Sequence, residues 1–192
     1  GGLGEHAAVG VPELVKLVAA EDPDIRSPAA DLLRGLGERA AVGVPELVKL
    51  LANEDFDARS SAARALDGLG EHAAVGVPEL MKLLADEDSN IRSSAADLLG
   101  GLGEHAAVPE LVKLLADEAP GVRSSAANAL GRLGEHAAVA VPELVKLLAD
   151  LKKYPVRYSA GGALRRLGKH AAVGVPELVK LPVGVPELVK LV

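Results

Sequence analysis

Val11-Pro12-Glu13-Leu14-Val15-Lys16-Leu17 is the stretch that decides how this chain is read. The same seven letters return from Val44, Val108, Val141, Val175 and Val185, and from Val77 with Met81 in place of the second valine. Successive starts lie 33, 33, 31, 33 and 34 residues apart, then 10. A step of that size marks an architecture in which each unit is one supersecondary piece that buries its apolar face only against its neighbours.

The motif is a helix start. Pro12 suits the first helical position, where its missing N–H would go unpaired in any case. Glu13 complements the helix dipole. Leu14, Val15, Leu17 and Val18 then follow with helical spacing and give a broad apolar face. The expected helix is about ten residues, shorter than the roughly 12–15 at which an isolated helix is marginal in water, so packing must hold it. A turn at Ala20-Glu21-Asp22-Pro23 follows, with Asp22 as N-cap and Pro23 as first residue of a second helix. The spacing predicts a buried stripe of Ile25, Ala29, Leu32, Leu33 and Leu36. Gly37 is the expected left-handed residue at the helix end, and Glu38-Arg39-Ala40-Ala41 the loop to the next unit.

Carried along the chain, this register gives full units at 9–41, 42–74, 75–107, 108–138 and 139–172. Residues 1–8 match the tail of a unit, and 173–192 hold two first-helix copies with no second-helix pattern between or after them. Asp55 and Asp88 take the cap position in units two and three, whereas Ala119 and Lys153 take it in units four and five. A lost N-cap costs about 1 kcal/mol, so the central turns of units four and five are expected to be looser. A chain that stops on Leu191 and Val192 leaves apolar terminal helices, open to a partner, to self-association or to further chain.

Composition agrees with helices. Apolar residues make up 49% of the 192, mostly Ala, Val and Leu, with no Trp, one Phe and two Tyr. Strands would be richer in aromatic and β-branched residues. The absence of Cys rules out disulfides and Cys-based zinc sites. No apolar run approaches the about eighteen residues of a membrane span, and no basic and apolar leader is visible. The expectation is a soluble, intracellular chain, and the start at Gly1 suggests processing or a fragment. The net charge of −6 speaks against nucleic acid, but it is unevenly spread. Between Leu151 and Ala172 stand six basic residues (Lys152, Lys153, Arg157, Arg165, Arg166, Lys169) and no acid, leaving 15 basic against 27 acidic residues elsewhere.

The run Val-Pro-Glu-Leu-Val-Lys-Leu-Leu, then Asp-x-x-x-Arg, then Ala-Ala-x-x-Leu-x-x-Leu-Gly resembles the HEAT repeat, especially the short HEAT-like type of phycobilisome-lyase subunits. The Thr-Pro-Leu-His motif of ankyrin repeats and the Trp, Leu-Gly and Tyr pattern of tetratricopeptide repeats are missing. The resemblance implies an all-α fold, a right-handed α-solenoid of helix-turn-helix repeats forming a single array. It implies that Asp22/Arg26, Asp55/Arg59 and Asp88/Arg92 belong to an aspartate–arginine ladder between stacked units, which Arg123 and Arg157 continue without their acid. It also implies a concave face lined by the second helices, on which a protein or peptide would bind. The copies are alike enough for recent duplication or a consensus array; Pro28, inside a second helix, speaks against careful design.

Four constellations remain. The Glu-His column (Glu5-His6, Glu71-His72, Glu104-His105, Glu135-His136) invites a metal reading. Equivalent residues of stacked units lie roughly 8–10 Å apart, against about 2 Å for a zinc–nitrogen bond, so these are expected to be structural or solvated, with no metal or cofactor. The acidic turns (Glu21-Asp22, Glu54-Asp55, Asp86-Glu87-Asp88, Asp117-Glu118) lack the calcium-loop pattern and read as caps. The third is the set of second-helix columns that vary while the apolar stripe does not. Asp31, Arg34, Arg64, Asp67, Asp97, Asn128, Arg132, Arg165 and Arg166 are the candidate partner contacts, with Gly100 and Gly131 in the same exposed columns. The fourth is the basic and aromatic patch of Lys152, Lys153, Tyr154, Arg157 and Tyr158, an alternative site for an anion or a nucleic-acid backbone. No nucleophile–base pair or phosphate loop stands out. The function expected is a non-catalytic binding scaffold, with a lyase-type chromophore-attachment chaperone as a minor alternative.

Overall fold

A computed structural model describes residues 10–148 and 154–174. The expectations for Glu5, His6, the Lys152-Lys153 turn, the Tyr154 side chain and the duplicated copies after 174 therefore fall outside the described residues. The chain divides into two compact bodies, Gly1–Leu83 and Leu84–Val192.

The first body contains α1 (Val11–Val18), α2 (Pro23–Leu36), α3 (Val44–Leu50), α4 (Phe56–Leu69) and α5 (Val77–Leu83). The second contains α6 (Ser89–Gly101), α7 (Val108–Leu114), α8 (Pro120–Leu133), α9 (Val141–Leu148) and α10 (Tyr154–Leu167). Odd helices are the motif helices and even ones the second helices. No strand occurs among the described residues. Each body is thus built of helix-turn-helix repeats, the all-α solenoid class that the sequence implies.

The motif helices are shorter than expected, seven or eight residues each. Their first-turn proline is where the register puts it. Leu47, Leu80, Leu111 and Leu144 are fully buried, one in each of α3, α5, α7 and α9. Glu and Lys of the motif face water and pair three residues apart, at 2.7–2.9 Å in all five helices. Such exposed pairs contribute only about 0.3–0.5 kcal/mol, so the leucines and valines, not the charges, make the motif constant.

The caps follow the sequence. Asp22, Asp55 and Asp88 accept hydrogen bonds from the amides of Asp24, Asp57 and Asn90 at 2.8, 2.9 and 2.7 Å. Ala119 gives no side-chain cap, but its turn is tied from two residues upstream, where Asp117 accepts the Ala119 amide at 2.8 Å. Gly37 has the positive φ expected of a helix end, but with ψ −127° it is not left-handed helical. The expected loop after it is a 3-10 helix, Gly37–Gly43, and the same element recurs at Gly70–Gly76, Gly134–Ala140 and Gly168–Gly174, shortened to His105–Ala107 where unit four lacks its Val-Gly.

One part of the predicted stripe is wrong. Ala29 and Leu33 are buried in α2, but Ile25 is 41% and Leu32 57% exposed. Arg26 and Ala30 are buried instead. The reason is position in the stack. The residues equivalent to Leu32 in α8 and α10 are Ala129 and Ala163, and each lies against the second helix before it, at Gly100 and Gly131 respectively. No second helix precedes α2 among the described residues, so the same face stays open to water.

Candidate partner-binding face

The second helices carry both the ladder and the variable columns, and the two differ in depth. In the first body, the buried Arg26 guanidinium donates to Asp55 at 3.2 Å and Asp57 at 3.1 Å. Arg59 donates to the backbone carbonyls of Asn53 and Glu54, and its guanidinium lies 5.6 Å from the centre of the exposed Phe56 ring. In the second body, Arg92 Nε and Nη2 each meet one Asp117 carboxylate oxygen at 2.9 Å. Arg123 donates to the carbonyls of Asp117 and Glu118. The ladder of unit four therefore keeps an acid after all, supplied by Asp117 rather than by the cap position.

Burial works against ionising Asp117, yet the Arg92 hydrogen bonds, the Ala119 amide and the charges of Arg92 and Arg123 outweigh it and hold the carboxyl below its ordinary value. The same hydrogen bonds push Arg92 up, against the cost of burying it. A guanidinium with a bidentate carboxylate in a nearly closed site is a structural tie, and it leaves little for a ligand to take.

The variable columns split in two. On α2, Asp31 and Arg34 are exposed and pair at 3.0 Å. The aliphatic stem of Arg34 lies over Gly68 of α4, where an added Cβ would stand 2.8 Å from its Cγ and Cδ. Arg64 and Asp67 of α4 are exposed. In the second body, Asp97 is half-buried: its carboxylate accepts the Ser125 hydroxyl at 2.8 Å and its carbonyl accepts Arg132 at 3.1 Å. Asn128 is half-buried beside it in register. Arg165 and Arg166 of α10 are exposed, with no ion pair to either among the described residues. Gly100 and Gly131, expected in exposed columns, are buried. A Cβ at Gly100 would stand 2.5 Å from the Ala129 Cα, and one at Gly131 2.8 Å from the Ala163 Cα. They are where one second helix rests on the backbone of the next, so they belong to the seam and not to the surface.

Of the alternative patch, Tyr158 is exposed and Arg157 half-buried on α10. Two of the histidines come closer than the backbone spacing implies. The His105 and His136 rings stack with centroids 3.6 Å apart, because side-chain reach closes a gap that backbone spacing alone leaves open. His170 lies 3.6 Å from Glu135. No group of three or more metal-capable side chains converges among the described residues. Sequence reasoning missed a groove on the motif-helix side of the first body, about 490 Å³, between Val15 and Ala19 of the first unit and Val42, Gly43 and Leu50 of the second. Its signal was Gly43: a Cβ there would meet Val11 and Val15 at 2.8 Å, so the connector must come close to α1. No described helix is long and apolar enough to cross a membrane.

Comparison with known proteins places this geometry. The family model for HEAT repeats matches residues 11–76 and 77–165. No curated protein matches the sequence. Among solved structures, an engineered protein studied as a structural-genomics target is 30% identical, with a TM-score of 0.61 over 94% of this chain and 92% of that one. A structure of the complex of CpcE and CpcF of phycocyanin lyase from Nostoc is 23% identical, with a TM-score of 0.61 over 78% of this chain and 97% of that one. A structure of Kap95p with RanGDP is 16% identical, with a TM-score of 0.67 over 93% of this chain but 26% of that one. The last two share the fold alone.

Proposed function

Because the chain belongs to the HEAT-repeat family, we propose that it is a non-catalytic scaffold that binds a protein or peptide on the exposed faces of its second helices. The observation that carries this reading is the division between constant and varied positions. Most of the constant leucines, valines and alanines of the helices are buried, while the side chains that change from unit to unit and stay exposed include charged groups of the even helices: Asp31, Arg34, Arg64, Asp67, Arg132, Arg165 and Arg166. Solenoids bind along such a face because it is extended and each unit adds a few side chains to it. Asp97 and Asn128, half-buried, act at its edge. CpcE with CpcF, and Kap95p with RanGDP, are assemblies with protein partners, which fits a scaffold, although fold alone does not choose a function. The same fold likeness is the only support for a lyase-type role.

The test is a peptide-display selection against the folded chain, followed by photo-cross-linking of the selected peptides. Cross-links at Arg34, Arg64 or Asp67, or at Arg132, Arg165 or Arg166, are expected. Cross-links confined to the odd helices or the 3-10 connectors would overturn the reading. A second reading, an anion or nucleic-acid site at Lys152, Lys153, Tyr154, Arg157 and Tyr158, is favoured by the exposed Tyr158 ring. It requires affinity for a short duplex that falls steeply with salt, and no binding at low salt would eliminate it.

A further inference from the structure

Helix α10 departs from the other second helices at three neighbouring positions. Tyr158 stands where Ser27, Ser60, Ser93 and Ser124 stand in the others. Gly161 replaces an alanine found at Ala30, Ala63, Ala96 and Ala127, and Gly162 replaces Asp31, Arg64, Asp97 and Asn128. Tyr158 is 71% exposed. A Cβ added at Gly162 would meet nothing within 4 Å, so packing does not demand glycine there, and glycine weakens a helix interior relative to alanine. Residues 158, 162 and 165 follow the i, i+4, i+7 spacing of one helix face. That face therefore carries an exposed aromatic ring, a bare stretch of helix surface, and then a guanidinium.

Charge singles out the same helix. α2 and α4 each hold two basic and two acidic residues, and α6 one of each. α8 holds Arg123 and Arg132, and α10 holds Arg157, Arg165 and Arg166, without a single acid in either. Arg34 is paired on its own helix, and Arg132 is turned to Asp97. Arg165 and Arg166 are exposed with no such ion pair among the described residues. Arg166 lies with its Cδ 3.5 Å from the place a Gly131 Cβ would take, so its stem crosses onto α8.

We propose that this face of α10 is a docking shelf for an extended acidic peptide. The peptide main chain lies across Gly162, where no side chain keeps it away. An apolar or ring side chain rests on Tyr158. A glutamate or aspartate takes the fork of Arg165 or Arg166, whose planar donors match a carboxylate with two parallel hydrogen bonds. An acidic peptide fits better than nucleic acid, because two neighbouring guanidinia satisfy one or two carboxylates, whereas a phosphate backbone needs a long cationic track. The proposal rests on the second-helix reading and names its partner chemistry.

Fluorescence anisotropy on the full chain tests it, with a short labelled peptide of glutamate and glycine around one leucine, its glutamine counterpart, and an oligothymidylate of matched length. Binding of the glutamate peptide at low salt is expected, with the glutamine peptide and the oligonucleotide at least about tenfold weaker. Arg165→Glu with Arg166→Glu abolishes it, and Gly162→Leu weakens it at least about fivefold by filling the shelf. Circular dichroism melts confirm that both variants fold, as the exposed arginines and the open space beside Gly162 should allow. The proposal is overturned by no binding of the glutamate peptide, by unchanged affinity in the arginine reversal, or by tighter binding of the oligonucleotide. An arm with Arg34→Glu and Arg64→Glu separates the two levels. If only that reversal abolishes binding, the second-helix reading stands and the shelf does not; if neither reversal matters and the peptide cross-links to odd helices, both fail.

Discussion

The two bodies are built from one repeat and closed by different seams. In the first, α2 meets α4 through long charged side chains. Arg34 drapes over Gly68, and Arg26 reaches Asp55 and Asp57, whose carboxylates are 48% and 64% exposed. In the second, α6, α8 and α10 meet through backbone, at Gly100 on Ala129 and Gly131 on Ala163. Its ladder pair Arg92–Asp117 is about one-tenth exposed on both sides, at 10% each. The difference teaches that a varied position is not thereby a binding position. Arg34 and Gly100 occupy the same place in their repeats; one is solvated surface and the other is where two helices touch.

The largest expected contrast lies in the ladder. Asp117→Ala leaves the buried Arg92 guanidinium without its carboxylate, and removing one partner of such a pair costs about 3 kcal/mol. Asp55→Ala removes a cap and an exposed partner and costs about 1 kcal/mol. Urea unfolding of the two variants measures both, and equal losses would erase the distinction between the seams. Acid sharpens the same point. Asp117 has its folded value held below the ordinary 3.8, so its contribution is full above that pH and is lost as pH falls through the folded value. The stability gap between wild type and Asp117→Asn should therefore be constant near neutrality and close only in strong acid. A gap that closes on raising the pH would contradict the assignment. The smallest effect is Ala119→Asp, which restores the missing cap and should add about 0.5–1 kcal/mol. The Asp88 turn has both the equivalent upstream tie, from its own amide to Asp86, and the side-chain cap, whereas the Ala119 turn has only the tie to Asp117, so hydrogen exchange should show the Ala119 turn as the less protected of the two, as the sequence suggests.

Much of the fold was legible because short-range chemistry dictates it. Asp22, Asp55 and Asp88 cap helices from any viewpoint, and Pro-Glu-Leu starts them. What was not legible depends on what a neighbour does. Ile25 and Leu32 keep the spacing of a core stripe, and only their place ahead of the other second helices leaves them open. Glycine hides the most. Gly35 and Gly162 have nothing within 4 Å of an added Cβ, while Gly100 and Gly131 have a helix backbone there, and no local pattern separates the two kinds. For the candidate site, the charges of Arg165 and Arg166 could be read in the sequence, but that no ion pair reaches either of them among the described residues could not, since that depends on where neighbouring acids turn.

The most direct test of the seam account is one of sign. Gly35→Ala fills open space in α2 and should raise stability by about 0.5–1 kcal/mol through helix propensity. Gly100→Ala gains the same propensity but forces α6 off the backbone of α8, and should lower stability by about 1–3 kcal/mol net. Denaturant midpoints of the two single variants beside wild type should shift in opposite directions. A Gly100→Ala variant as stable as Gly35→Ala would show that the two seams are alike, and would return Gly100 and Gly131 to the exposed surface.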